Sequence, residues 1–231
     1  MNVRIRRWKD YFPKMDYDTT YGLSEATGPN CVHLGVENLH KVGAIGRPGF
    51  NWETRIVDED GIDVTRGAVG ELVVHGNGVM RGYYKNPEAT ADALRNGWLH
   101  TGDMARQDED GFIFLVDRKK DVINCGGESV FPVEVENYIH THPSVKDAAA
   151  IGYPDERLGE IVGIVIEVVP GKTLTEKEVL EFCMALPKYR RPRKVFFGEI
   201  PRNPTGKIEK VRLRKQYIET TVDDRLPIQL G

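Results

Sequence analysis

The sequence predicts an α+β fold, because strand patterns dominate the middle of the chain and helix and strand patterns alternate after it. Between residues 43 and 117, short β-branched or aromatic runs are bounded by Gly and Asp. From residue 118 to 220, amphipathic helical patterns and apolar strand patterns follow one another. We therefore predict a small β-barrel subdomain, or a sandwich, followed by a C-terminal α+β domain of short strands flanked by helices.

Three strands are predicted in the middle of the chain, at residues 54–57, 70–75 and 111–116. The dipeptides Asp60-Gly61 and Asp110-Gly111 predict tight turns beside them, since Gly tolerates the positive φ that such turns demand. Antiparallel strands joined by these turns would pack as a small barrel or sandwich. The opening segment, up to about residue 40, shows little amphipathic periodicity and is too short to fold alone.

Capping and amphipathic patterns predict the helices. Asn86 and Pro87 are typical of a helix start, with Asn as the N-cap and Pro at the first helical position. Thr175 and Glu178 form the S/T-x-x-E signature, in which both side chains satisfy otherwise unpaired amides. Residues 132–139 place apolar side chains on one face. The remaining predicted elements are strands at 145–152, 161–169 and 194–197, and a last helix at 209–217.

The composition indicates an ordinary globular protein. Its 32 basic and 35 acidic residues give a formal net charge of −3, which provides no positive field for nucleic acid. No apolar run approaches the roughly 20 residues that a transmembrane segment requires. Cys31, Cys125 and Cys183 are widely separated, which argues against a disulfide framework or a structural zinc site. These features predict a cytoplasmic location and no nucleic-acid partner.

Five separated motifs carry the functional signal, over about residues 5 to 217. They are Tyr21-Gly22-Leu23-Ser24-Glu25; Gly70-Glu71-Leu72 with Gly82-Tyr83-Tyr84; Thr101-Gly102-Asp103; Asp117-Arg118-Lys119-Lys120-Asp121 running into Gly126-Gly127-Glu128; and Pro204-Thr205-Gly206-Lys207. Their order resembles the C-terminal portion of AMP-forming acyl-CoA synthetases, which belong to the adenylate-forming superfamily together with peptide-synthetase adenylation domains and luciferases. The resemblance implies four parts: a remnant of a large N-terminal domain (1–42), the β-barrel (43–117), a C-terminal lid domain (118–220) and a tail (221–231).

The resemblance also implies a two-step reaction with ATP, Mg²⁺ and CoA as cofactors. A carboxylic acid attacks the α-phosphate of ATP, and the CoA thiol then displaces AMP from the acyl-adenylate. The implied site residues are catalytic Lys207, the cofactor-binding residues Thr20, Tyr21, Gly22, Ser24, Asp103, Arg118, Lys120, Gly126 and Gly127, and the metal ligand Glu25. The stretch 126–136 resembles CoA ligases, while a peptide-synthetase-type adenylation domain stays an alternative.

Each implied role has a physical reason and a plainer alternative. The ring of Tyr21 would stack on adenine, or it is a buried turn aromatic. Glu25 would hold Mg²⁺, a hard cation that prefers carboxylate oxygens, and Ser24 would bind a phosphate oxygen. Asp103 suits the paired hydroxyls of ribose, although its Thr-Gly-Asp motif alone is a common turn. Asp103 and Arg118 lie on either side of the Asp110-Gly111 turn, so a returning strand could bring them together.

In the C-terminal part, Lys207 follows a turn sequence that can present it at a loop tip. An ammonium group there can stabilise charge on the carboxylate and the α-phosphate, and the alternative is a surface lysine. Lys120 falls at the implied hinge between the two domains. Gly126 and Gly127 would let pantetheine pass close to the backbone, or they form a plain turn into the helix at 132.

The Ser/Thr/Gly-rich phosphate loop of the family has no counterpart in the 231 residues. We therefore expect this chain to be a fragment that lacks its large N-terminal domain, and expect no acyl-adenylate formation by the chain alone. Carboxylate-dependent release of pyrophosphate by the purified chain would contradict this expectation. The alternative from another functional class is a non-catalytic fragment that binds nucleotide or CoA.

Overall fold

The computed structural model describes residues 10–14, 18–35, 39–41, 43–204 and 206–219. The chain divides into two compact units, Met1–Lys119 and Lys120–Gly231, and both mix strands with helices, which confirms the α+β class. Thr205 and the predicted tail lie outside the described residues. Within the described ranges, no helix is long and apolar enough to cross a membrane.

The first unit opens with a small antiparallel sheet. Its strands are β1 (Asp18–Tyr21), β2 (Cys31–Leu34) and β3 (Arg47–Pro48), in the order β1-β2-β3. Tyr21 pairs with Cys31, so the segment between them forms a loop that contains the 3-10 helix Ser24–Ala26. Ala26 and Cys31 are fully buried. This loop therefore packs on the core of the unit and positions Tyr21 and Glu25.

The second sheet of this unit is antiparallel and open. It contains β4 (Trp52–Val57), β5 (Val69–Gly76), β6 (Leu94–Arg95), β7 (Trp98–Gln107) and β8 (Ile113–Arg118), with helix α1 (Pro87–Ala93) between β5 and β6. The strand order is β4-β5-β7-β6, and β8 pairs with β7. The predicted barrel is not confirmed, because closure requires its edge strands to pair. Among the described residues Val57 of edge strand β4 bridges to Asp63, and no pairing joins β4 to β8.

Strand β7 contains Thr101-Gly102-Asp103, so the interpretation of this motif as a plain turn is wrong. Gly102 has a φ of 70°, in the left-handed region that glycine adopts readily. The pairing register also shifts on both sides of the motif, between Glu71 and Val73 of β5 and between Met104 and Ala105 of β7. Such β-bulges let a strand continue while re-orienting one side chain.

The second unit is built on a five-stranded sheet with helices on both faces. Its elements are β9 (Ile123–Cys125), β10 (Glu128–Val130), α2 (Pro132–Ile139), β11 (Val145–Asp155), β12 (Gly159–Val168), α3 (Glu176–Phe182), β13 (Lys194–Phe197) and α4 (Lys210–Arg214), which continues as the π-helical segment Lys215–Glu219. One face packs against Val135 of α2 and Val179 of α3, and the other against Leu213 of α4. Burial of both faces explains the continuous apolar run of β12.

Both predicted helix caps are confirmed. At α1, the side chain of Asn86 accepts a hydrogen bond from the backbone N of Ala89 at 3.0 Å. At α3, Thr175 Oγ1 accepts from the backbone N of Glu178 at 3.3 Å, and the Glu178 carboxylate accepts from the backbone N of Thr175 at 2.8 Å. Each cap satisfies amides that the first helical turn leaves unpaired, and it fixes where the helix begins.

Candidate functional site

Tyr21, Asp103 and Arg118 form a polar cluster in the first unit. Asp103 of β7 is the register partner of Arg118 of β8, so the hairpin predicted at Asp110-Gly111 brings the two together. Arg118 Nε lies 2.8 Å from Asp103 Oδ1. The hydroxyl of Tyr21, from the other sheet, donates to Asp103 Oδ2 at 2.6 Å. One carboxylate is thus held from two directions by a phenol and a guanidinium.

Within the cluster, Tyr21 and Asp103 are largely buried, whereas Arg118 is exposed. Burial raises the pKa of Tyr21 far above its ordinary value, and the hydrogen bond to the Asp103 carboxylate raises it further, so the phenol stays a donor. The Asp103 side chain is 14% exposed and that of Arg118 is 53% exposed. An ionised carboxylate offers about four lone-pair directions. Since these two neighbours occupy different oxygens, the same carboxylate can accept further hydroxyl donors.

Glu71, in strand β5, is a buried acid to which sequence reasoning assigned no role. It is 4% exposed, and its Oε1 accepts from the backbone N of Gly102 at 3.2 Å. Lys119 Nζ donates to its Oε2 at 2.9 Å, and His100 Nδ1 lies 3.1 Å from the same oxygen. Glu71 therefore holds both the bulge before Asp103 and the residue after Arg118. In the sequence, a single carboxylate within an apolar strand is the signal that indicates a buried acid with polar or charged partners.

Glu71 is expected to make the stability of the fold depend on acid. Burial raises the pKa of Glu71, but the contacts with Lys119 and His100 outweigh it, and the pKa lies below its ordinary value. A carboxyl group with a lowered folded-state pKa stabilises the fold above its unfolded-state pKa, and this contribution is lost as pH falls through the folded-state pKa. In urea unfolding, the wild type should therefore exceed Glu71→Gln in free energy of unfolding at pH 7, with a smaller margin below pH about 4.

The matched control for this measurement is Glu53→Gln, at an exposed position of β4 in the same unit. The control should show no comparable margin at either pH. An equal margin for Glu71→Gln at both pH values would contradict the ionised role of Glu71.

Glu25 lies in the 3-10 helix after β1, and the motif Gly82-Tyr83-Tyr84 contacts it. The hydroxyl of Tyr83 donates to Glu25 Oε1 at 3.0 Å, and the backbone N of Met80 donates to the Glu25 carbonyl at 2.7 Å. No group of three or more His, Cys, Asp or Glu side chains suited to a metal occurs within the described residues. Glu25 thus offers a single carboxylate, which suits Mg²⁺ held mainly by substrate phosphates and water.

The other predicted residues of this loop take simple positions. Thr20 is exposed in β1, where it pairs with Val32 of β2. Ser24 is exposed at the start of the 3-10 helix. At Gly22, an added Cβ would lie 2.5 Å from the carbonyl oxygen of Gly28, so this glycine is required by close backbone approach.

Lys120, Gly126, Gly127 and Lys207 belong to the second unit. Lys120 lies in the 3-10 helix Lys119–Asp121, where the first unit ends and the second begins. Gly126 and Gly127 form the two-residue turn of the β9–β10 hairpin, with φ of 65° and 89°. A type I′ turn demands positive φ at both positions, so the local backbone alone favours two glycines. The two glycines were also predicted to form a plain turn into the helix at 132. This is corrected, because strand β10 lies between the glycines and that helix.

Lys207 is exposed in a hairpin loop that begins at Asn203. The backbone N of Asn203 donates to the Lys207 carbonyl at 2.9 Å, and the backbone N of Gly206 donates to the Asn203 carbonyl at 2.8 Å. Asn203 Oδ1 accepts from the backbone N of Lys207 at 2.9 Å. Lys207 thus lies opposite Asn203 in a hydrogen-bonded turn, next to the bridge between Arg202 and Ile208.

Comparison with known proteins agrees with these features. Residues 2–84 match the AMP-binding enzyme family, and residues 134–207 match the AMP-binding enzyme C-terminal domain. A 2-succinylbenzoate–CoA ligase of Bacillus mycoides is 40% identical over 198 residues, which cover 85% of this chain and 40% of the ligase. A long-chain-fatty-acid–CoA ligase of Mycobacterium tuberculosis is 40% identical over 202 residues, covering 87% of this chain and 40% of that protein.

A solved structure gives the same result for the fold. The crystal structure of ATP-bound MatB from Rhodopseudomonas palustris matches with a TM-score of 0.85 and 32% sequence identity, over 95% of this chain and 44% of MatB. The chain thus spans about two fifths of the length of the curated relatives it matches. It belongs to the AMP-binding enzyme family, and its residues 134–207 match the C-terminal domain of that family.

Proposed function

We propose that this chain is the C-terminal part of an AMP-forming acid–CoA ligase whose upstream part carries the phosphate loop, here called the full-length ligase. The observation that carries the proposal is the carboxylate of Asp103, held between Tyr21 and Arg118. A fixed, partly exposed carboxylate beside a guanidinium suits the two hydroxyls of ribose and a nearby phosphate. The family match supports the same chemistry, since the relatives include CoA ligases.

In this proposal the described loop around β1 binds the rest of the nucleotide. Tyr21 would contact adenine with its ring while its hydroxyl stays on Asp103, and Thr20, Gly22 and Ser24 would line the phosphate side. Glu25 would hold Mg²⁺, which supplies positive charge to the phosphate oxygens when bound. Its position beside Tyr83 supports this role, because the phenol hydrogen bond restricts the carboxylate.

The second unit would supply the remaining groups. Lys207 would stabilise the charge that develops on the carboxylate and the α-phosphate during adenylation. Gly126 and Gly127 would leave room for the pantetheine of CoA, in addition to their local role in the hairpin turn. Lys120 would act as the backbone hinge, which its place at the limit of the two units supports. The buried free thiols Cys31, Cys125 and Cys183 are compatible with the proposed cytoplasmic location.

The full-length ligase tests the proposal directly. It should release pyrophosphate from ATP in the presence of a carboxylic acid, and then transfer the acyl group to CoA in preference to a pantetheinyl carrier domain. Transfer to the carrier domain alone would favour the peptide-synthetase alternative. The non-catalytic alternative is tested by calorimetric titration of AMP and CoA into this chain. If the chain bound these ligands and the full-length ligase showed no activity, the non-catalytic alternative would be supported.

A further inference from the structure

The loop that presents Lys207 is fixed by a side chain just before it. Arg202 forms an isolated β-bridge with Ile208, so these two residues close the base of the loop. The guanidinium of Arg202 also donates through Nη1 to the carbonyl oxygen of Gly206 at 2.7 Å. This bond crosses the loop and ends on the residue before Lys207. Arg202 thus restrains the loop from its base and from its tip.

Arg202 is itself held by an acid of the sheet. Its Nε donates to Asp147 Oδ2 at 3.1 Å, and its Nη2 contacts the same oxygen. Asp147 lies near the start of β11, a long strand that pairs with β12 in the five-stranded sheet, and its side chain is only 15% exposed. The connection from Asp147 through Arg202 to Gly206 therefore joins the Lys207 loop to a strand of the five-stranded sheet.

The charge on Asp147 is secured by its surroundings. Burial raises the pKa of Asp147, but hydrogen bonds from Arg202, His140 and the backbone N of Ala148 outweigh it, and the pKa lies below its ordinary value. His140 Nε2 lies 3.1 Å from Asp147 Oδ1, the oxygen opposite to the one that Arg202 binds. The planar guanidinium donates from separate nitrogens to a carboxylate and to a carbonyl, whereas a lysine has a single nitrogen from which to reach both.

We propose that Arg202 is a positioning residue for acyl-adenylate formation, which it serves by holding the Lys207 loop, and that Asp147 orients Arg202. The inference rests on the proposed function of Lys207. A catalytic ammonium must meet the developing charge within a fraction of an ångström, and a loop released from its support loses this geometry.

The test compares the two half-reactions of the full-length ligase. Arg202→Gln should lower kcat for acyl-adenylate formation roughly 10- to 100-fold, with little change in thioester formation from preformed acyl-adenylate. Asp147→Asn, which keeps the shape of the side chain, should give a smaller loss in the same half-reaction. Arg202→Lys should resemble Arg202→Gln, because it keeps the charge but not the second bond to Gly206. The matched control is Arg212→Gln, which removes an exposed ion pair with Glu209 and should leave both half-reactions unchanged.

A double variant separates positioning from general damage to the fold. If Arg202 acts through Lys207, adding Arg202→Gln to Lys207→Ala should cause no further loss of adenylation. A further loss, or equal losses in both half-reactions for Arg202→Gln alone, would overturn the inference. If Lys207→Ala greatly lowered the rate of adenylation and Arg202→Gln did not, the inference about Arg202 would be wrong, while the proposed function of Lys207 would stand. No loss for Lys207→Ala would overturn both.

Nuclear magnetic resonance of this chain tests the loop itself, independently of activity. In the wild type, the ¹⁵N relaxation of the Gly206 and Lys207 amides should match that of β11. In Arg202→Gln, both amides should become mobile on the picosecond to nanosecond scale while β11 stays rigid. Unchanged relaxation at Gly206 and Lys207 in this variant would also overturn the inference.

Discussion

Replacing Lys207 by Ala in the full-length ligase is expected to lower the rate of acyl-adenylate formation roughly 100- to 1000-fold. The ammonium group would be lost from the hydrogen-bonded turn that presents it, so the charge developing on the carboxylate and the α-phosphate would have no cation from this loop. Thioester formation from preformed acyl-adenylate should change little, because the bond between the carboxylate and the α-phosphate that Lys207 is proposed to help form already exists in that substrate.

The two half-reactions are measured separately, the first as carboxylate-dependent pyrophosphate exchange and the second as thioester formation from synthetic acyl-adenylate. Lys177→Ala is the matched control, since Lys177 pairs only loosely with Glu181 on the surface of α3, at 3.8 Å. The control should retain both rates. Equal losses of the two half-reactions in Lys207→Ala would remove Lys207 from its proposed role.

Elements with strong local signals were predicted well from the sequence. The strand at residues 194–197 matches β13, and the helix at 132–139 matches α2. The capping signature at Thr175 marks the start of α3. In these segments the local pattern and the tertiary packing favour the same structure. The last predicted helix is only partly α-helical, since α4 ends at Arg214 and a π-helical segment follows.

The missed elements depend on contacts that are distant in the sequence. Strand β7 carries Gly102 and Asp103 in its middle, and both residue types are depleted in strands. It is stabilised by neighbours on both edges, β5 on one side and β6 and β8 on the other. The short strands β1 to β3 likewise exist through pairing, and their sequences show no clear alternation.

The candidate site was predicted in part. The proximity of Asp103 and Arg118 follows from one hairpin turn, and the structure places them in register. The hydrogen bond of Tyr21 to Asp103 joins residues 82 positions apart, which no local pattern indicates. Glu71 was named only within the motif Gly70-Glu71-Leu72, and its role depends on Gly102 and Lys119, which come from later strands or their ends.

The second large effect is expected at Asp103, and it concerns the recognition of ribose. In the full-length ligase, the wild type should bind AMP at least roughly 100-fold more tightly than 2′,3′-dideoxy-AMP, because each of the two hydroxyl bonds to a charged carboxylate contributes about 1.5–3 kcal/mol. Asp103→Asn should bind both nucleotides more weakly and with a much smaller preference for AMP, because a neutral amide offers one acceptor oxygen in place of two charged ones. The amide loses the charge and its ion pair with Arg118, although it keeps the shape of the side chain.

Comparing the two nucleotides, rather than AMP alone, separates lost recognition from a damaged fold. A distorted site would weaken both ligands and keep the ratio of their affinities, whereas loss of the charged acceptor lowers that ratio. Calorimetric titration provides the affinities, and Asp92→Asn, at an exposed position of α1, is the control that should keep the full ratio. If Asp103→Asn still preferred AMP by the wild-type factor, the ribose would be bound elsewhere. The Tyr21–Asp103–Arg118 cluster would then serve only to stabilise the contact between the two sheets.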